Sequence, residues 1–258
     1  MITQAHPISA PTVSIVTVCR NAASTIGATL ASVRAQTHSA IQHIVVDGAS
    51  NDGTQHIVSD NLRSGGILLS EPDCGIYNAM NKGLALATGD IVAFLNADDA
   101  YADGDVIARV CKLFSEGGIN AVFGDVAFFR DANFTQLVRR YDSGQFHPGR
   151  IRWGWMPAHP GMFVSRDVYT ALDGFAEDYR IAGDFDFVVR AFRDGLIQYR
   201  HLPEIFVNMQ IGGASTRDFS AKMRINKEVV RACRRNGVYS NLLMVMSKYP
   251  LKLLEIRR

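Results

Sequence analysis

The feature that most restricts the fold is a rhythm. Four short apolar runs rich in β-branched residues, Val13–Val18 (VSIVTV), Ile44–Val46, Ile67–Leu69 and Ile91–Leu95 (IVAFL), are each followed by a helix-like segment. Those segments cover Ala22–Ala35, Thr54–Leu62, Tyr77–Ala87 and Val106–Phe114. Continuous apolar strands alternating with helices predict an α/β fold with a mainly parallel sheet covered on both faces. An apolar share of 47% in 258 residues supplies a core large enough to exclude disorder. Ligands of such sheets bind where strands end at their carboxyl edge. Polar clusters follow all four runs: Arg20-Asn21, Asp47 to Thr54, Glu71-Pro72-Asp73 and Asn96 to Asp99. Four polar loops are therefore expected on one rim.

The rhythm then changes. Shorter strands are expected at Ala121–Phe123, Ala127–Arg130 and Gln136–Tyr141, a loop rich in Gly, Pro and Trp from Pro148 to Gly161, and a strand at Met162–Val164. A helix over Phe185–Phe192 and a strand over Tyr199–Val207 complete this part. The tail reads as two helices. In the second, Tyr239, Leu242, Met246, Tyr249, Leu253 and Ile256 recur at three- and four-residue spacing, with Pro250 as a kink or restart. This divides the chain into a catalytic-sized domain over 1–215 and a basic amphipathic helical tail over 216–258. From Arg217 onward there are eleven Lys+Arg and three Asp+Glu, so an acidic body carries a basic tail. Cys19, Cys74, Cys111 and Cys233 form no close pair, which fits reduced thiols in a cytoplasmic protein better than a zinc knuckle or disulfide framework. The first residues lack a signal-peptide pattern and no stretch has the apolar length of a membrane span.

Two common nucleotide loops are excluded. Cys19 to Ser24 contains no glycine where GxGxxG belongs, and GxxxxGK[ST] is absent. Phosphate, if bound, needs another holder, and a metal on carboxylates is the obvious one. Asp47 to Thr54 is either a polar turn leading into a helix capped by Asn51 or Asp52, or part of a binding rim. Asn96 to Asp99 is either a helix cap or a pair of acids for a hard cation. Asp184 and Asp186 lie at an expected helix start, where the dipole favours carboxylates, and either could act as a general base.

Taken together and in order, VSIVTVCRN (13–21), DGASNDGT (47–54), EPDCGIYNAMNKGLALATGD (71–90), FLNADD (94–99) and GDFDF (183–187) resemble family 2 glycosyltransferases of the GT-A fold. The resemblance spans about the first 210 residues. It implies a Rossmann-like mixed sheet flanked by helices that binds a nucleotide-diphospho-sugar donor. It places Thr17 and Asp47 at the nucleobase and Asp73 near the nucleoside. Asn96 and Asp98 belong to the DxD loop, with Asp98 as ligand of Mn2+ or Mg2+ and Asp99 beside it. Asp184 is the implied catalytic base of an inverting transfer. Lys82 is either a diphosphate contact or a solvated helix lysine. His159 either lines the acceptor site or packs a turn, and Trp155, like Trp153, either stacks on a sugar or packs.

The sequence departs from the family pattern at Asn96, Gly48 and Gly183, each of which replaces an acid. Processive relatives carry a QxxRW motif after the base and membrane spans; neither is present, which implies transfer of one sugar. The implied acceptor is a glycan or lipid-linked acceptor of surface-polysaccharide or glycolipid synthesis. The tail would then either touch an anionic membrane at its inner face or serve as a lid or dimer contact. Two other classes stand against this: a non-catalytic nucleotide-sugar or glycan-binding module of the same fold, and a nucleotidyltransferase, which wants a glycine-rich basic loop missing here. Nothing points to nucleic acid.

Overall fold

The computed structural model describes residues 10–131, 133–211 and 219–248. Tyr249, Pro250, Leu253 and Ile256 lie outside the described residues.

Four parallel strands form the first half: β1 (Val13–Cys19), β2 (Ile41–Asp47), β3 (Ile67–Ser70) and β4 (Ile91–Phe94), in the order β3-β2-β1-β4. The order reverses between β1 and β4, the place where an α/β sheet opens a crevice at its carboxyl edge. Helices α1 (Ile26–Arg34), α2 (Thr54–Asn61) and α3 (Ile76–Leu86) connect these strands. The sequence expects α1 from Ala22, but it starts four residues later. The Ala22 amide is taken by the Thr54 hydroxyl and the Ala23 amide by Asp52, so the second loop holds donors that a longer helix would use.

The second half is mixed. Strand β8 (Met162–Ser165) runs antiparallel to β4 and to β6 (Ala121–Phe129), and β9 (Tyr199–Gln210) runs parallel to β6. The hairpin partner β7 (Leu137–Tyr141) covers part of β6, and β5 (Asp99–Tyr101) pairs antiparallel with the end of β9. The sequence breaks β6 in two at Gly124, yet the strand is continuous. Gly124 lies under the Phe206 ring, which fills the place of a side chain, so this glycine marks close packing and not a break. β5 was hidden because its partner, Val207 to Met209, lies over a hundred residues later. The 148–161 stretch holds two 3-10 turns, Pro148–Trp153 and His159–Gly161, and a short helix α5 (Arg166–Ala171) follows β8.

Each face of the sheet carries its own core. On one face Val13, Ile15, Ile91 and Ala93 meet α4 (Val106–Glu116) through Val106, Ile107, Val110 and Phe114. Nearby Cys19 and Val45 pack on α1 and α2. On the other face Val16, Val18, Ile44 and Val46 meet α3, α6 (Gly183–Phe192), α7 (Phe219–Arg235) and Val245 of α8 (Leu242–Met246). Full burial of each such side chain contributes roughly 1.5–3 kcal/mol, so the strands are held from both sides. The four cysteines are free. No described helix is long and apolar enough to cross a membrane.

Candidate active site

Parallel pairing brings the ends of β1 to β4 to one edge, and the four polar loops meet there. Asp47, the last residue of β2, is fully buried. Its carboxylate accepts from the Ser50 amide at 3.0 Å, the Ser70 hydroxyl at 2.7 Å and the Ser50 hydroxyl. Burial pushes its pKa up, but donation from Ser50 and Ser70 outweighs this and holds the carboxyl below the usual range. The structure also accounts for Gly48. A Cβ there would collide with Asp73 Oδ2, so the missing acid makes room for the acid of the third loop. Asp73 in turn accepts from the Gly75 amide at 2.9 Å.

Two expected donor contacts are committed elsewhere. Thr17 is wholly buried in β1, with its hydroxyl 3.0 Å from His43 Nε2, and offers no surface to a ligand; Arg20 and Asn21 are the exposed residues of the first loop. Lys82 donates to the Pro72 carbonyl at 2.7 Å and pairs with Glu71 at 2.7 Å, which ties the third loop to α3.

The fourth loop has the chemistry of a cation holder. Asp98 is partly buried, and burial raises its carboxyl above the usual range. Asp99 is 1% exposed; burial, with the adjacent Asp98 charge, pushes it well above that range. Its Oδ2 accepts from the Asn96 amide at 3.1 Å, whereas its Oδ1 is buried with no partner. Two adjoining carboxyls with no Lys or Arg partner among the described residues fit a hard divalent cation. A second grouping, Asp125, Asp142 and His201, brings three ligand atoms within 4.8 Å of one another. There Asp125 already receives the Arg140 guanidinium, His201 at 2.7 Å and the Ser143 amide at 2.9 Å, so a cation would have to displace a guanidinium.

Helix α6 separates its two acids. Asp186 is buried and fully engaged by Tyr179, Arg190 and Asn236 at 3.1, 2.8 and 2.9 Å. Asp184 stays partly exposed; it accepts from the Phe185 amide at 2.8 Å and lies 3.2 Å from the Tyr77 hydroxyl. Tyr77 sits one turn after Asp73, so the third loop and the start of α6 adjoin. His159 stacks on Phe94, two residues before Asn96, and also feels the Asp184 charge. Its Nε2 is buried without a partner, and burial holds the ring below its usual pKa and therefore neutral. Trp155 is 6% exposed with Arg150 over its ring, whereas Trp153 is 41% exposed. The sequence reading missed Tyr77 and Ser70. Tyr77 lies within the 71–90 stretch and Ser70 immediately before it, but neither carries a pattern of its own.

A mixed sheet with this order and flanking helices is the GT-A fold, the nucleotide-diphospho-sugar transferase architecture. Residues 14–169 match the family model "Glycosyl transferase family 2". The chain belongs to that family and is a glycosyltransferase. It is 31% identical over 213 residues to the PGL/p-HBAD biosynthesis glycosyltransferase of Mycobacterium bovis, covering 81% of this chain and 80% of that protein. It is 33% identical over 191 residues to glycosyltransferase AglE of Haloferax volcanii, covering 70% and 61%. Among solved structures, S. aureus TarS 1-349 with UDP-GlcNAc superposes with a TM-score of 0.68 at 16% identity, covering 86% of this chain and 66% of that one. The mannosyltransferase PcManGT of Pyrobaculum calidifontis, with GDP-Man and Mn2+, gives 0.64 at 21%, covering 87% and 64%. This chain thus spans slightly under two thirds of those two solved chains.

Proposed function

We propose that this enzyme transfers one sugar from a nucleotide-diphospho-sugar to a hydroxyl acceptor with inversion, using Asp184 as general base. The observation that carries this is the division of labour on α6, where Asp186 is sealed into packing and Asp184 is left reachable beside the donor loops. On the donor side Asp47, Asp73 and the exposed Arg20 and Asn21 frame the nucleoside. Asn96 orients Asp99, and Asp98 with Asp99 would hold Mn2+ or Mg2+. A cation there supplies charge neutralisation for the departing diphosphate. The attacking hydroxyl loses its proton to Asp184 as the new bond forms on the face opposite the leaving group. Neutral His159 packs against Phe94 and Phe175 with its Nε2 buried, which favours packing over a direct acceptor contact. Asn96 and Gly183 have local physical reasons, amide donation to Asp99 and contact with Tyr77, so neither departure argues for an inert protein.

The test is nucleoside-diphosphate release from a panel of UDP-, GDP- and dTDP-sugars, with and without Mn2+. Turnover of one donor, lost on chelation and in Asp98→Asn, is expected. Release that persists in Asp98→Asn would remove the metal assignment.

The acceptor side extends to a surface suited to lipid-linked substrates at the inner face of the cytoplasmic membrane. The Ser240 hydroxyl binds the Arg152 carbonyl and Lys248 binds that of Gly154, which joins α8 to the turn bearing Trp153. Leu243 is 82% exposed there, with Tyr239 and Met246 also exposed, and α7 carries the exposed Arg231 and Arg235, which pair with Asp178, and Arg234. An exposed apolar patch in a basic segment matches an anionic bilayer. Co-sedimentation with phosphatidylglycerol vesicles, absent with phosphatidylcholine and lost in Leu243→Glu, is the expected result. Equal binding by Leu243→Glu would exclude this face.

A further inference from the structure

Gly183 and Tyr77 compete for one space. A Cβ on Gly183 would stand 2.8 Å from Cδ2 and Cε2 of the Tyr77 ring, so the first residue of α6 can carry no side chain while the ring lies there. Tyr77 is 4% exposed and belongs to the first turn of α3, just beyond the loop that holds Asp73. Its hydroxyl faces two acceptors, the Ile181 carbonyl at 2.5 Å and Asp184 Oδ1 at 3.2 Å. A phenol has one proton and can satisfy only one of them fully at a time.

We propose that Tyr77 is a positioning residue for Asp184, with a hydroxyl that changes partners as the carboxyl changes state. This rests on the reading of Asp184 as the base. While Asp184 is ionised, the hydroxyl donates to Oδ1. When Asp184 has taken the proton of the attacking acceptor hydroxyl on Oδ2, the oxygen not engaged by Tyr77 and Phe185, the charge on Oδ1 is gone and the Tyr77 proton turns to the Ile181 carbonyl. The transferred proton ends on Asp184, and Tyr77 gains and loses none. Burial, with the Asp184 charge, keeps the phenol well above its usual pKa, so it serves as a donor without titrating. The hydroxyl thus has an acceptor in both states of the base.

The second acceptor is itself held in place. Glu228 of α7 receives the amides of Arg180, Ile181 and Ala182 at 3.1, 2.9 and 2.9 Å, which fixes the turn that presents the Ile181 carbonyl. The other groups facing Asp184 are neutral His159 from the turn before β8 and the Phe185 amide of its own helix. Tyr77 is therefore the one side-chain O–H bonded to this carboxylate among the described residues.

The experiment needs no donor. In protein labelled with γ-13C aspartate, the Asp184 carboxyl resonance is identified by its loss in Asp184→Asn and followed through a pH titration. Tyr77→Phe keeps the ring against Gly183 and removes only the hydroxyl. Its titration midpoint is expected to rise by about one pH unit, because the ionised form loses a donor. With the donor found in the panel above, kcat is expected to fall about tenfold or more with the donor KM unchanged. A midpoint that does not move overturns the proposal. Should Tyr77→Phe fail to fold, Gly183→Ala keeps the hydroxyl but displaces the ring, and the same rise is expected; an unmoved midpoint there overturns the proposal equally. Turnover in Asp184→Asn would overturn the base reading and this inference with it. An inactive Asp184→Asn beside an unmoved Tyr77→Phe midpoint overturns the positioning role alone.

Discussion

On the β1–β4 side of the sheet, functional groups are fixed by near neighbours; on the β6–β9 side they are fixed by residues far along the chain. Asp47 is held by Ser50, three residues on, and by Ser70 on the adjacent strand. Asp73 is held by Gly75, and Asp99 by Asn96. By contrast, the Tyr77–Ile181 bond joins residues 104 apart, Ala182–Glu228 spans 46, and Asp186–Asn236 spans 50. The donor side is assembled wherever the parallel strands form. Asp184, the proposed base, is in place only when α3, α6 and α7 are docked on one another. Damage to helix packing should therefore reach chemistry before donor binding.

The largest effect tests the separation of the two α6 acids. Asp184→Asn should abolish turnover, a loss of about 10²–10⁴-fold for a general base, while UDP or GDP with Mn2+ still raises the melting temperature. Asp186→Asn should do something different. It leaves the half-buried Arg190 guanidinium without its carboxylate and costs stability on the order of 1–3 kcal/mol, read by urea denaturation. Should Asp186→Asn abolish turnover at unchanged stability, the two roles are reversed and the comparison fails.

The same contrast explains what could be read from residues alone. The first four strands and the loops after them were legible because apolar runs and the polar residues that end them are local patterns. The places of Asp47, Asp73 and Asp98 at the strand ends follow from them, whereas their donor roles are what the family resemblance implies. Thr17 was placed at the nucleobase by the family resemblance; its side chain is buried in β1 against His43, which no local pattern announces. β5 and the unbroken β6 were illegible for a common reason. A three-residue strand and a mid-strand glycine have meaning only through Val207–Met209 and Phe206, and no local pattern announces either. Tyr77 and Glu228 escaped notice likewise, since nothing in α3 or α7 marks a partner near residue 181.

A smaller effect is expected at Gly48. Gly48→Ala would drive a methyl group into the Asp73 carboxylate and turn that side chain away from its place beside the second loop. Donor affinity should weaken about tenfold, equivalent to roughly 1.4 kcal/mol, with kcat preserved, because the contact lies on the locally built side. The readout is KM against kcat. A fall in kcat alone would show that the donor loops and the base are coupled more tightly than their separate supports suggest.

The smallest effect concerns acid stability. Asp47 is held below the usual carboxylate range, so it stabilises the folded state above the ordinary aspartate pKa, and that contribution is lost as pH falls through its lowered folded value. Ser70→Ala removes one donor and moves the folded value back up. Near neutral pH the variant should be less stable by about 1 kcal/mol. The difference should shrink toward zero in acid, where Asp47 is protonated in both proteins. Urea denaturation in steps from pH 7 to about pH 2, below the ordinary aspartate range, measures it. A deficit that stays constant over that range would mean that Ser70 contributes packing alone, and that Asp47 draws its support from Ser50 and the strand end without help from β3.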